Sequence, residues 1–562
     1  MRLSLILVAA TTIVAACSGG DRAPKSTQDA GGTLVLALPE PGNLFPPLVS
    51  EAAGRLVTDQ VFDRLAAINP ELTTIGDKGF TPQLAKSWTW SADSLSIAFS
   101  IDPRARWHDG KPVLASDVRY TFQVVTDPEI GSPNAALVTN IDSISVRDSL
   151  TAVVWFKKHT PEQFYDAAYQ LVIVPEHVYG KLSPKDLHTS PVIRSPVGSG
   201  RFRFAKWEPG VRLELVSDTA NYRGRALLDR VILISTPDPN VQVAKVLSGD
   251  ADFMESFPVN QIAQLDTSTV AGPIPYPNFG YVYMTMNRYD PKSPTSPHPI
   301  FNDIRVRRAL AMAVDRSSML QNVFGRSGRM AHGPFPMTVG YADSTLKLPP
   351  YDTVAAKALL DSAGWRAASD KIRVKDGRQL KFTLIAPNTS LPRQKYAVLL
   401  QEAFRRIGAR MEIQILDNAV FNDRAQKSTF DAMMDGYVTD PGPSGMKQRW
   451  GSAAIGFVPG KGVSGSNSMR YSNPRVDAAL DSATMTFDFA RSKAFAARAS
   501  QTIIDDVPAV FLYDMFVTNA LSRRVTATPL RSDAWWANLA DWKIPADKRI
   551  DRDRIGLAQG TP

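Results

Sequence analysis

Residues 380–443, LKFTLIAPNTSLPRQKYAVLLQEAFRRIGARMEIQILDNAVFNDRAQKSTFDAMMDGYVTDPGP, set the fold class. Leu380 to Ala386 is a short apolar run of strand length. About Leu391 to Ile407 carries helical periodicity and stops at Gly408. Met411 to Leu416 reads as a second strand, about Ala419 to Lys427 as a helix, and Phe430 to Tyr437 as a third strand. The succession is βαβαβ, which calls for a largely parallel sheet covered by helices. Ligands of open α/β sheets bind beyond the carboxyl ends of the strands. The last strand here runs into Thr439-Asp440-Pro441-Gly442-Pro443, which must leave regular structure. Asp440 is therefore placed where a site is expected. The alternative role for an aspartate at such a place is to cap the turn.

Upstream, Val306, Ala309, Leu310, Ala313 and Val314 form one apolar stripe on a helix that Asn302 or Asp303 can cap. Another helix is expected from about Asp352 to Gly364. The basic cluster Arg305-Val306-Arg307-Arg308 reads as a solvated helix face, because no nucleic-acid recognition motif accompanies it. Earlier still the chain is strand-rich, with strands expected at Thr33 to Leu38, Leu95 to Ile101, Thr151 to Phe156, Leu213 to Val216, Val231 to Ser235 and Tyr281 to Asn287.

Residues 18–32, SGGDRAPKSTQDAGG, are small and polar and suit a flexible stalk. Before them, Arg2 and the apolar stretch Leu3 to Ala16 have the layout of a secretory signal, too short to span a bilayer, which takes ~20 residues. Val14-Ala15-Ala16-Cys17 resembles the lipobox of bacterial lipoproteins, which implies cleavage before Cys17 and its lipidation. As Cys17 is the only cysteine, no intrachain disulfide can form. A chain of 562 residues exceeds what one hydrophobic core usually accommodates. With 44% apolar and 21% charged residues it has the composition of a globular protein, and a formal charge of +9 over that length argues for no particular partner.

Several stretches together resemble the family 5 extracellular solute-binding proteins, the peptide and nickel receptors of ABC importers. These are Leu84-Ala85-Lys86-Ser87-Trp88 with Asp93, Arg106-Trp107-His108-Asp109-Gly110-Lys111-Pro112-Val113, Ser116-Asp117-Val118 and Pro196-Val197-Gly198-Ser199-Gly200-Arg201-Phe202. Phe301 to Ala309 with Val314-Asp315-Arg316, Leu359 to Trp365 and Tyr471 to Asp477 continue the series in order. Arg201 replaces the family's usual proline, and Gly42-Asn43-Leu44-Phe45-Pro46 departs from its early loop. The resemblance implies an α/β, two-lobed periplasmic-binding-protein fold, type II-like (cluster C), with an extra inserted domain. The expected division is a signal peptide over 1–16, a tether over 17–32, lobe I over 33–75, 191–282 and 506–562, inserted domain II over 76–190, and lobe II over 283–505.

The resemblance also assigns Asp440 to the ligand's α-ammonium and points to Arg424 as a contact for a ligand carboxylate. Tyr437, Trp450 and Tyr513 are candidate pocket walls, since amphipathic rings cover variable side chains. Asn43 and Phe45 are candidates for the first-lobe side of the cleft. Trp535-Trp536 raises the alternative of carbohydrate stacking. No HExxH, GxSxG or P-loop occurs, and six scattered histidines offer no close-spaced metal set. Gly460-Lys461-Gly462-Val463-Ser464-Gly465 fits GxGxxG but lies among loop-forming residues. His108, beside an expected hairpin turn, reads as structural. The expectation is a monomeric receptor without cofactor, metal, catalytic residue or nucleic-acid partner. It is anchored to the membrane by lipid in the bacterial cell envelope, and takes a peptide-like solute to permease subunits. The competing reading is a surface lipoprotein hydrolase of peptides or glycans.

Overall fold

The computed structural model describes residues 30–463 and 465–554, so Cys17 and most of the expected tether lie outside the described residues. The chain begins with β1 (Thr33–Leu38), buried along its whole length. Next, β2 (Ala85–Trp90), β3 (Ser96–Ile101), β4 (Ile141–Asp148) and β5 (Thr151–Phe156) form a separate antiparallel sheet in the order β2-β3-β5-β4. A short helix, α1 (Gln163–Ala168), follows. The strands β6 (Phe202–Glu208), β7 (Arg212–Ser217), β8 (Arg230–Ser235) and β9 (Phe253–Met254) then return to β1.

The long strand β10 (Ala271–Met286) leads into α2 (Ile304–Met312), α3 (Arg316–Phe324), β11 (Lys381–Pro387), α4 (Leu391–Arg406) and β12 (Arg410–Leu416). After them come α5 (Asn418–Gln426), β13 (Ala432–Val438), α6 (Pro443–Trp450), α7 (Pro474–Met485), α8 (Phe489–Asp506) and β14 (Ala509–Ser522). The large sheet has the order β12-β11-β13-β10-β14-β9-β1-β8-β7-β6. Within it β11 runs parallel to both β12 and β13, as the βαβαβ pattern requires.

The two long strands join the halves of this sheet. β10 pairs with β14 from Ala271 to Thr285, and its second half also pairs with β13. β14 in turn reaches β9 through Ala520 and Leu521. The β10–β14 register shifts between Pro277 and Tyr281 and again between Val282 and Tyr283. Such irregularities bend a ladder locally. Between these bends the backbone crosses from the lobe built on β1 (lobe I) to the lobe built on β11–β13 (lobe II).

Lobe II is a three-layer sandwich. On one sheet face Val282, Met284, Leu384 and Met434 pack under α2 and α4 with Val306, Leu310, Leu400 and Phe404. On the other, Tyr281, Tyr283 and Phe511 pack with Trp450, Leu480 and Ile503 from α6, α7 and α8. Asp303 caps α2 through its side chain, accepting from Arg305 N–H at 2.9 Å, and all five residues of the expected stripe are buried. Arg307, expected on a solvated face, is instead 2% exposed. Its guanidinium donates to the carbonyls of Phe301, Asn302, Asp506 and Val507, and burial pushes its pKa down to about 9. The cluster is basic in sequence, but this member ties α2 to the end of α8.

Both ends of the described chain meet in lobe I. Thr33 N–H donates to the Asp553 carboxylate at 2.7 Å across 520 residues of sequence, and Arg524 bridges Thr33 O, Asp252 and Asp553 at 2.7–2.8 Å. Asp252 also accepts from Val35 N–H at 2.9 Å. Among the described residues no helix is long and apolar enough to cross a membrane.

Candidate ligand cleft

At the carboxyl end of β13 the loop Thr439–Gly442 turns into α6, whose first residue, Pro443, has the φ a helix start requires. Thr439 N–H donates to Phe279 O at 3.2 Å, which pins the loop to β10. Asp440 follows, and its carboxylate borders a cavity of about 270 Å³ where lobe II meets residues 136–170 of the segment carrying the four-stranded sheet. Burial pushes its pKa above the usual carboxylate range. Among the described residues that carboxylate has no hydrogen-bond or ion-pair partner.

Across the cavity stands Glu162. Its carboxylate accepts from the Thr74 hydroxyl at 2.7 Å and from the Ser444 hydroxyl at the start of α6. One side chain thus links three parts of the chain. Gly442 allows this approach, because a Cβ there would collide with the Glu162 carboxylate and the Thr74 hydroxyl. Burial raises the Glu162 pKa, and the Asp440 charge adds to the rise against the two hydroxyl donors. Asp166, one helical turn on, borders the same cavity and is raised well above the ordinary range, first by burial, then by Glu162 and Asp440.

A second cavity, of about 470 Å³, lies beside the crossing strands, bordered by Phe257 of lobe I, Asn278 and Tyr513 of the strands, and Phe324, Arg393 and Lys395 of lobe II. Tyr513 forms one wall, held by Phe324 and Tyr396 with ring centroids at 4.8 Å each. Its hydroxyl pKa is raised by burial, with the Arg393 guanidinium opposing. Arg393 also lies over Gly436 of β13, where a Cβ would strike it. The first cavity is acidic and this one carries two cationic side chains.

The other expected site residues lie elsewhere. Trp450 is fully buried; its indole N–H donates to the Tyr281 hydroxyl at 2.9 Å, and it packs among Tyr283, Phe511 and Tyr471. It is a core residue of lobe II, because the inner face of α6 points into the sheet. Arg424 is consumed locally, donating to Thr429 O at 2.9 and 3.0 Å and to the Gln414 side chain at 2.9 Å, where it closes the turn after α5. Phe45 is fully buried against Tyr179 at 4.7 Å, and Asn43 uses its side-chain oxygen to accept from Phe45 N–H at 2.6 Å in a local turn. Tyr437 is half-buried and borders neither cavity; its hydroxyl donates to Gly445 O at 3.3 Å, and burial, with Asp440 adding, pushes its pKa up to about 12.

Trp535 and Trp536 are buried, Trp535 stacking on Phe253 at 4.1 Å, so they offer no platform for a sugar. His108 is structural: Nε2 lies 2.9 Å from Gly200 O, and Nδ1 accepts from Gly198 N–H. The GxGxxG segment has no helix after it; Val458 and Gly462 form an isolated bridge there. Among the described residues no group of three or more His, Cys, Asp or Glu side chains could hold a metal ion. Glu162, Asp166 and Arg393 were missed by sequence reasoning. The only sequence signal for the first two is a pair of acids one turn apart in the otherwise largely apolar or neutral stretch 161–170.

A two-lobed sheet sharing two long strands, with cavities at the junction, is an architecture for enclosing a ligand. The family model for bacterial extracellular solute-binding proteins, family 5, matches residues 79–455, more than half of the chain. The chain belongs to that family. Membership makes it the substrate-binding protein of an ABC transporter, a receptor and not an enzyme, which sets aside the hydrolase reading. It is similar to the oligopeptide-binding protein AppA of Bacillus subtilis, 26% identical over 527 residues that cover 91% of this chain and 92% of the relative. It is also similar to heme-binding protein A of Haemophilus influenzae, 25% identical over 513 residues covering 86% and 88%. Among solved structures, AppA of B. subtilis in complex with a nonapeptide superposes with a TM-score of 0.72 at 24% identity, covering 92% of this chain and 99% of that one. NikZ of Campylobacter jejuni with Ni(L-His) gives 0.73 at 22%, covering 91% and 99%. These likenesses establish the cluster C periplasmic-binding-protein fold.

Proposed function

We propose that this receptor is a monomeric lipoprotein that encloses peptides between its lobes and delivers them to a membrane permease. The observation that carries the reading is Asp440, a partly buried carboxylate without a partner among the described residues at the carboxyl end of β13, facing a cavity at the junction of the lobes. A peptide's α-ammonium is the counter-charge such a group lacks. Two unit charges ~4 Å apart attract by ~4 kcal/mol at an effective dielectric near 20, before desolvation is subtracted. Arg393 and Lys395 at the second cavity supply the opposite charge, suited to a carboxylate. A zwitterionic chain therefore finds both signs at the junction. Contacts to both lobes favour the closed state, because a ligand shifts such an equilibrium only by its differential affinity. The name of the B. subtilis relative, an oligopeptide-binding protein, agrees with this ligand class. The Val14-Ala15-Ala16-Cys17 sequence supports the lipid anchor and a place in the cell envelope.

The test is calorimetric titration of the mature protein and of Asp440→Asn with free-amine and N-acetylated peptides. Asp440→Asn is expected to weaken the free-amine series at least tenfold while the acetylated series changes little. Equal losses in both series remove Asp440 from the site.

A further inference from the structure

The acidic cavity holds more carboxyl groups than an α-ammonium answers. Glu162 and Asp166 are successive-turn neighbours, Asp166 N–H donating to Glu162 O at 3.0 Å, and both border the space that Asp440 borders from lobe II. Glu162 is engaged by Thr74 and Ser444. Asp166 has no hydrogen-bond or ion-pair partner among the described residues, although burial alone makes its ionised form costly. The residues lining the cavity include no Lys, Arg or His. Like charges gathered without a counter-ion oppose one another's ionisation, so the cavity is complementary to a cation and poorly suited to anything else charged.

Size and lining narrow the class. A volume of about 270 Å³ holds about nine waters at ~30 Å³ each, room enough for an alkylammonium or alkylguanidinium chain. Ala136, Leu137 and Met485 give it an apolar flank, and long basic side chains lay their methylene stems on such surface while the charged end seeks a partner.

We infer that the cavity selects peptides whose first residue is lysine or arginine, the side-chain cation lying between Glu162 and Asp166 while the α-ammonium meets Asp440. This rests on the peptide reading above and adds a residue preference to it. In this arrangement Asp166 is a specificity residue: its carboxylate has no hydrogen-bond or ion-pair partner among the described residues and is left to meet the ligand's side chain.

The experiment compares Lys-Ala-Ala with norleucine-Ala-Ala, which keeps the four-carbon stem and lacks the charge, by calorimetric titration of the mature protein, Asp166→Asn and Glu162→Gln. The wild-type protein is expected to prefer the lysine peptide at least tenfold, and Asp166→Asn to reduce that preference to threefold or less. The ratio is the readout, because damage to folding or closure lowers both affinities together. Glu162→Gln keeps an acceptor for Thr74 and Ser444 and provides a second, independent loss of charge with the same expected direction. Equal wild-type affinities for the two peptides, or an unchanged ratio in both variants, overturn the inference and leave the peptide reading standing. Failure of both peptides to bind the wild-type protein overturns both.

Discussion

Asp514 sits on β14 opposite Tyr281, where the ladder bends between the lobes, and it is 2% exposed. One carboxylate oxygen accepts from Met337 N–H at 2.9 Å, the other is buried without a hydrogen-bond partner among the described residues, and Arg329 is the charged group that acts on it. Burial outweighs both favourable influences and pushes its pKa up to about 7 from an ordinary 3.8. A raised carboxyl pKa means that the folded protein binds this proton over a range where the unfolded chain has lost it. The stabilisation is complete below pH ~4 and is lost as pH rises to about 7, at ~1.36 kcal/mol per pH unit. Over the three units between the two values this amounts to about 4 kcal/mol. Asp514→Asn keeps an acceptor for Met337 and removes the titration. In calorimetric melts from pH 4.5 to 8.5, the variant is expected to exceed the wild type by about 1 kcal/mol at the acid end and by about 4 kcal/mol above pH 7. A difference independent of pH refutes the reasoning, because it would mean that Asp514 stays ionised in the folded protein throughout.

Arg307→Ala leaves the carbonyls of Phe301 and Asp506 short of a donor and is expected to cost about 3 kcal/mol, whereas Arg308→Ala on the same helix stays within about 0.5 kcal/mol in chemical denaturation. Gly442→Ala places a methyl group against Glu162 and Thr74 and is expected to part Glu162 from Ser444, enlarging the radius of gyration by small-angle scattering; an unchanged curve counts against that contact as a closure element. Cys17→Ser, expressed in a bacterium that processes lipoproteins, is expected to move the protein from the membrane fraction to the soluble one, and retention in the membrane argues against the lipid anchor.

The sequence was most legible where one periodicity dominated. The βαβαβ run of lobe II and the Asp303 cap stand where pattern and capping chemistry place them, and the helix expected from about Asp352 begins there, with the Asp352 side chain as its cap. The first half of β10 was not legible, and its residues explain why. Pro273, Pro275 and Pro277 look like strand breakers, yet at alternate positions their missing N–H groups all face one side. That side is free here, since β10 pairs with β14 alone until Gly280, where β13 joins. Asp440 could be placed because a strand end and a proline-rich turn position it from local sequence. Trp450, Arg424 and Phe45 could not, because whether a side chain faces a cleft or a core depends on helix rotation and on partners such as Tyr281, Thr429 and Tyr179. Glu162 meets Ser444 across 282 residues, a distance over which no local pattern carries information.

The knot of Asp553, Arg524 and Asp252 around Thr33 bears on how the receptor reaches its working place. The opening strand acquires its full set of partners only when the final turns of the polypeptide arrive, so the lobe that receives both ends cannot finish folding while synthesis is under way. For a protein of an extracellular family such a late clasp leaves the lobe incomplete until residues 524–553 are present, and then ties the two ends of the described chain together.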